Sequence, residues 1–224
     1  MDLRQKLYDN KASISQDLDR LGIARYQKAL SLVQLETQSK VLDIGCRRCP
    51  LLHLMNEQGN PIQYTGIDIA EEIVERNQTR WPEGSFVQGD ITTGTAFEDD
   101  HFDYVFAMEV MEHVPAPASM LQEVHRVLKP EGRLLLSVPN PFYYLEWINE
   151  VRGAPDTEGH IYAWADNNLR KLLEFNGFEA EERVGTYLEI PTRMRGAWQR
   201  DKLILLQRIP ALFSRSRVYR CKPV

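Results

Sequence analysis

The sequence predicts an α/β fold, a parallel sheet wrapped by helices. Two observations carry this. Short strand-like runs alternate with longer runs whose apolar residues recur at helical spacing, and the first strand-like runs each end in an acidic residue. In chain order, Ile14–Leu35 supplies one or two helices ahead of the first strand, Lys40–Ile44. Pro50–Gln58 follows as a helix, with Pro50 in a first turn where a missing N–H costs little. Strands at Gln63–Ile67, Ser85–Gln88, Phe102–Ala107 and Arg133–Val138 then alternate with helices at Ala70–Asn77 and Ser119–Leu128. Lys129–Gly132 (KPEG) turns the last of these helices into its strand. Asn167–Asn176 reads as a helix stopped by Gly177, and Phe178–Leu188 and Arg217–Lys222 as an antiparallel pair at the sheet edge, interrupted by Pro191–Ser214. One domain is the economical division: a helical cap over 1–38, a core over 39–188, a basic amphipathic insertion over 189–214 and a final strand over 215–224.

The 224 residues, 43% hydrophobic and 26% charged, are enough for a full sheet core. No run of about 18 apolar residues is present, which excludes a membrane-spanning helix. The N-terminus is too polar for a secretory signal, and three cysteines make no disulfide framework, so reduced thiols and a cytoplasmic location are expected. The net charge of −5 is uneven. From Arg193 onward nine Lys or Arg face only Asp201, a balance of +8, which leaves −13 for the remainder. A basic tail on an acidic body points to an anionic surface or to internal pairing. It disfavours nucleic acid, which asks for a basic and aromatic stripe across the body.

Parallel sheets bind ligands where their strands end. Here the ends read Asp43-Ile-Gly45, Gly66-Ile-Asp68, Gly89-Asp90-Ile91 and Ala107-Met-Glu109, and Asp68 follows Asp43 at about the spacing that places a carboxylate on ribose hydroxyls. An acidic rim repels pyrophosphate and suits a ligand with a ribose, an adenine and a positive charge. S-Adenosylmethionine has all three. The plain alternative is that such residues cap turns.

In order and spacing, VLDIGC, YTGIDIAEEIVERN, FVQGDI, FDYVFAMEVMEHVP and LKPEGRLLLSVPNP resemble the successive motifs of class I S-adenosylmethionine-dependent methyltransferases of the small-molecule branch, over about Tyr26 to Phe178. The resemblance implies a Rossmann-like, seven-stranded, mostly parallel sheet with helices on both faces and an antiparallel last strand. It also implies that Asp43 and Gly45, with the loop at Cys46 and Arg47, hold the methionine end of the cofactor. Asp68 would bind the ribose, Ile69 and Ile91 would sandwich the adenine, Asp90 would accept from its amino group, and the backbone of Ala107 and Met108 would line the methyl side.

One stretch departs from that pattern. KVLDIGCRRCPLL keeps the glycine at Gly45 but has Arg47 and Cys49 where the family has two more, positions that favour glycine for close approach or positive φ. Three readings follow: a modified cofactor loop, a binding protein that has lost its cofactor, or a Cys46–Cys49 redox or zinc motif, which lacks a second ligand pair. In MEVMEHVP, a helix would put Glu109, Glu112 and His113 on one face. The resemblance offers a structural loop histidine or, with His160 from GHIYAW, a Mg²⁺ or Mn²⁺ site like those of ubiquinone-biosynthesis O-methyltransferases and small-RNA terminal methyltransferases. Without metal, His113 or His160 suits a general base, while His160 equally suits a helix cap. Phe142, Tyr143, Tyr144 and Trp147 lie near the expected site, as acceptor stacking groups or as core. The basic segment after Pro191 reads as an interfacial helix on anionic lipid or as a helical insertion on the sheet edge. The expected function is methyl transfer to a small-molecule, lipid- or sugar-linked acceptor, most simply at oxygen.

Overall fold

The computed structural model of the chain describes residues 20–155, 158–194, 197–204 and 211–224, with the backbone alone for 189–194 and 197–204. Five parallel strands, β1 (Lys40–Ile44), β2 (Gln63–Asp68), β3 (Ser85–Gln88), β4 (Phe102–Met108) and β5 (Leu128–Pro139), join β6 (Phe178–Gly185) and β9 (Ser216–Pro223) in one sheet. Its order is β3-β2-β1-β4-β5-β9-β6, with β9 antiparallel to both neighbours. Ile44 pairs with Ile67 on one side and with Ala107 on the other, so β1, β2 and β4 end level. That register brings the acidic strand ends to one rim.

Alternation along the strands divides the core. Val41, Phe106, Leu135 and Val218 pack in one apolar cluster with α1 (Arg20–Leu30) and α2 (Pro50–Glu57). Leu42, Val105, Leu134, Leu136 and Tyr219 pack in the other with α4 (Pro117–Val127) and α6 (Asp166–Phe175). Helices therefore cover both faces. α3 (Glu71–Arg80) links β2 to β3, and α5 (Tyr144–Val151) follows β5.

The expected antiparallel pair closes one edge of the sheet, with β6 outermost and β9 between it and β5, where Val218, Tyr219 and Cys221 are fully buried. β6, with Glu179, Glu181, Glu182 and Arg183, has the charge that suits an exposed edge. The segment after Tyr187 is not a helix but an antiparallel pair, β7 (Leu188–Met194) and β8 (Ala197–Ile204). Pro191 resists a helix and coincides with the register shift between Ile190 and Thr192. The remainder of the expected basic segment, 205–210, and the start of the expected N-terminal helices, 14–19, lie outside the described residues.

Candidate active site

The loop after β1 holds the conformation that glycines would give it. Gly45 has φ +65°, and a Cβ there would lie 2.8 Å from Val110 Cγ2. Arg47 and Cys49 adopt φ +44° and +55°, left-handed backbone that costs a residue with a side chain about 1–2 kcal/mol. Several hydrogen bonds hold it there. The Cys49 N–H donates to the Cys46 carbonyl (2.7 Å), closing the turn. The fully buried Asn77 donates to the Arg47 carbonyl at 2.8 Å, and Arg76 donates to the same oxygen at 3.2 Å. Cys46 and Cys49 point away from the rim into the apolar cluster, with Cys46 Sγ so close to Gly66 that a Cβ there would sit at 2.8 Å. The hydrogen bond with Cys49 and burial push the Cys46 thiol up. All three cysteines are free thiols.

A cleft opens along the carboxyl ends of β1 to β4. Gly45 and Arg47 line it from the first loop, Asp68 and Ile69 from the second, Asp90 and Ile91 from the third, and Glu109 and His113 from the fourth. Asp68 accepts the Arg47 N–H (3.2 Å) and the Ala70 N–H (3.1 Å), one on each carboxylate oxygen. Burial nevertheless holds its pKa above the usual value. Asp90 caps the short 3₁₀ turn Ile91–Thr93, accepting from the Thr92 N–H (2.9 Å) and hydroxyl (2.6 Å).

Four of the expected residues have their side chains buried below the cleft. Asp43 is fully buried beneath the rim, accepting from the hydroxyls of Tyr26 on α1 (2.6 Å) and Tyr64 on β2 (2.8 Å). Burial raises its pKa to about 7, although both hydroxyls pull it down. The side chains of Cys46, Ala107 and Met108 pack in the two cores, which leaves untouched the backbone role expected of Ala107 and Met108. Sequence reasoning missed Val110 and Val114, which line the cleft. The clearance of Gly45 depends on Val110, and an apolar residue inside a charged motif gave no signal of that.

Glu109, Glu112 and His113 do not share a helix face. Glu109 follows β4 with φ +56°, and the His113 N–H donates to the Val110 carbonyl (2.9 Å) in a turn. Pro115 and Pro117 disfavour helical backbone just before themselves, which postpones the helix to Pro117. The three side chains consequently separate. Glu109 pairs with Arg25 of α1 (2.7 Å) and accepts from the Ser216 hydroxyl of β9. Glu112 points into the interior, fully buried, and neither of its carboxylate oxygens has a hydrogen-bond partner among the described residues. Burial, then Glu109, push its pKa well up. The backbone carbonyl of Glu112 accepts from Ile161 (2.8 Å), which brings the GHIYAW loop over the turn. There His113 Nδ1 lies 3.1 Å from the Gly159 carbonyl, and the rings of His113 and His160 stand 4.9 Å apart. Glu112, His113 and His160 offer donor atoms within 4.8 Å of one another; Glu109 is outside that group. Of the four expected aromatics none lines the cleft: Tyr143 is core, and Phe142 and Trp147 face outward.

Residues 14–183 match the family described as Methyltransferase domain. The chain is 30% identical over 150 residues to the phthiotriol/phenolphthiotriol dimycocerosates methyltransferase 1 of Mycobacterium ulcerans, covering 66% of this chain and 55% of that protein. It is 37% identical over 112 residues to a ubiquinone biosynthesis O-methyltransferase of Pseudomonas aeruginosa, covering 47% of each. The chain thus spans about half the length of the curated relatives it matches. Among solved structures it resembles, at 20% identity and a TM-score of 0.75, a chain of the complex between the Haloferax volcanii Trm112 methyltransferase activator and a methyltransferase, covering 98% of this chain and 96% of that one. The magnesium protoporphyrin IX methyltransferase of Synechocystis with bound S-adenosylhomocysteine superposes with a TM-score of 0.64 at 17% identity, over 99% of this chain and 96% of that one. Sheet order, rim and sequence agree, and the chain belongs to the class I S-adenosylmethionine-dependent methyltransferases.

Proposed function

We propose that the protein transfers the methyl group of S-adenosylmethionine to an oxygen of a small, lipid- or sugar-linked acceptor, with His113 as general base. One observation carries the choice of base. The Gly159 carbonyl can only accept, so His113 Nδ1 bears a proton, and in the neutral ring the lone pair is then on Nε2. A neutral imidazole of that tautomer, on the cleft wall, suits removal of a hydroxyl proton as the new oxygen–carbon bond forms. The cleft fits the cofactor: a buried carboxylate at Asp68 for the ribose, apolar Ile69 and Ile91 beside the adenine, and a loop whose Gly45 leaves room for close approach. Asp90, on the same cleft wall, would accept from the adenine amino group. Bound S-adenosylmethionine supplies an electrophilic methyl group; the protein's part is alignment of acceptor and base. The lipid-like acceptor is supported by the two relatives, whose names give a dimycocerosate and ubiquinone biosynthesis.

The buried Glu112, unpartnered among the described residues, favours a second reading, in which Glu112, His113 and His160 hold Mg²⁺ or Mn²⁺ and the ion polarises an acceptor oxygen. Titration with S-adenosylhomocysteine, with and without Mg²⁺, tests both. Micromolar binding is expected, weakened about tenfold or more in Asp68→Ala. Absence of heat from folded protein would leave a cofactor-less binding protein. A rise in melting temperature with Mn²⁺ that His160→Ala abolishes would replace the base with the metal.

A further inference from the structure

The loops around Asp68 spend their backbone donors inside the protein. The N–H groups of Gly45 and Cys46 donate to the Ile67 carbonyl (2.8 and 3.4 Å), and those of Arg47 and Ala70 to the two oxygens of the Asp68 carboxylate. The Gly89 N–H is taken by the Asp68 carbonyl (3.0 Å). These amides are closed to a ligand, but the Arg47 side chain is open. Arg47 is exposed and lines the cleft, and its guanidinium has no hydrogen-bond or ion-pair partner among the described residues. Among the described residues of the cleft wall it is also the one arginine or lysine, against Asp68, Asp90 and Glu109. Its charge is felt at Asp68: burial raises that carboxyl, and the Ala70 and Arg47 N–H groups, then the charges of Arg47 and Arg76, pull against the rise.

We propose that the Arg47 side chain is a second ribose-binding group, donating to a hydroxyl whose proton Asp68 accepts. A ribose hydroxyl gives one proton and keeps two lone pairs. The Asp68 carboxylate can only take the proton, so a hydroxyl bound there still needs a donor, and one left without is penalised away from water. Arg47 brings a fork of up to five N–H donors on the residue whose own N–H already meets that carboxylate. The backbone supports the same assignment. Glycine would relieve the left-handed φ of +44° at position 47, yet Asn77 and Arg76 hold an arginine in that conformation. Strain that neighbours maintain beside a cleft fits a side chain with a task there. The assignment rests on the cofactor reading above, and it places Arg47 at the ribose rather than at the methionine end expected from its sequence position.

The test is isothermal titration of the full chain, wild type and Arg47→Met, with S-adenosylhomocysteine and with its 2′-deoxy and 3′-deoxy counterparts. Methionine keeps a long side chain on the left-handed backbone, whereas glycine would relieve that backbone as well. Arg47→Met is expected to weaken S-adenosylhomocysteine binding about tenfold, but to weaken the counterpart lacking the served hydroxyl by about threefold or less. Arg47→Lys, which keeps a cationic donor, should recover part of the loss. Arg47→Leu provides a second variant should Arg47→Met misfold by circular dichroism. Equal losses for all three ligands overturn the proposal, since Arg47 then acts through the loop or on another part of the cofactor. Unchanged or tighter binding of S-adenosylhomocysteine overturns it too. Absence of binding by wild type sinks the cofactor reading as well, whereas S-adenosylhomocysteine bound equally by both proteins sinks the role of Arg47 alone.

Discussion

Replacing Asp43 by asparagine is expected to change how stability depends on pH. Asp43 is enclosed completely, and burial lifts its pKa from 3.8 to about 7 against the pull of Tyr26 and Tyr64. A carboxyl with a raised folded pKa binds its proton in the native state at pH values where the unfolded chain has released it. Stability from this group is therefore full below the unfolded value, declines from about pH 4, and levels off near pH 7. The span is about three pH units at about 1.4 kcal/mol each, so wild type forgoes about 4 kcal/mol by pH 7. The carboxamide of the variant keeps an acceptor for Tyr26 and has no proton to lose. Urea unfolding followed by circular dichroism, at pH values from about 4.5 to 8, should show Asp43→Asn gaining on wild type by about 1.4 kcal/mol per pH unit until near pH 7. Asp68 and Glu112 are also raised by burial and steepen both curves, but their contribution largely cancels in the difference. Parallel curves would refute the reasoning, because they would mean that Asp43 is ionised in the native state throughout.

Two further outcomes test the loop. Asn77→Ala removes the amide that holds the Arg47 carbonyl and should cost about 1–3 kcal/mol with weaker S-adenosylhomocysteine binding; adding Arg47→Gly, which relieves the left-handed backbone, should recover about 1 kcal/mol by thermal unfolding and titration. Gly45→Ala should lower both stability and cofactor affinity, since its Cβ would stand 2.8 Å from Val110 Cγ2 at φ +65°; Val110→Ala in the same chain should restore part of each, and no rescue would show that steric clearance is not what the glycine provides.

The parallel core was legible because strand and helix periods differ. Lys40–Ile44 and Ser85–Gln88 fall at the bounds the pattern gives, and the level strand ends follow from register. Most of the rim was legible too: Asp68, Asp90 and Glu109 line the cleft as their positions suggest. What local pattern could not show was where each side chain turns. Asp43 and Asp68 look alike as strand-ending acids, yet Asp43 is claimed by two tyrosines, one of them 17 residues upstream on a helix. ExxEH has helical spacing, but prolines at 115 and 117 govern the backbone before them. The C-terminal pair was read as antiparallel from its sequence; that β9 enters the sheet interior depends on long-range pairing with β5.

The acids of the rim have two different tasks, and the N-terminal helix explains the division. Arg25 and Tyr26 are neighbours on α1, and each reaches a different strand end: Tyr26 to Asp43 below β1, Arg25 to Glu109 beyond β4. Ser216 reaches the same Glu109 from β9. Asp43 and Glu109 thereby fix the helix that covers one face of the sheet, while Asp68 and Asp90 line the cleft without a tie to that helix among the contacts described. The arrangement also bears on the unusual loop. In a glycine-rich loop the left-handed turns are cheap and need no external support. Here Arg47 and Cys49 make them costly, and the support comes from Asn77 and Arg76 on α3 and from the Asp68 carboxylate itself. Asp68 thus accepts from the loop with the same group that faces the cleft. A ligand that draws on Asp68 also acts on the loop that surrounds it, which makes loop shape and cofactor binding one equilibrium rather than two.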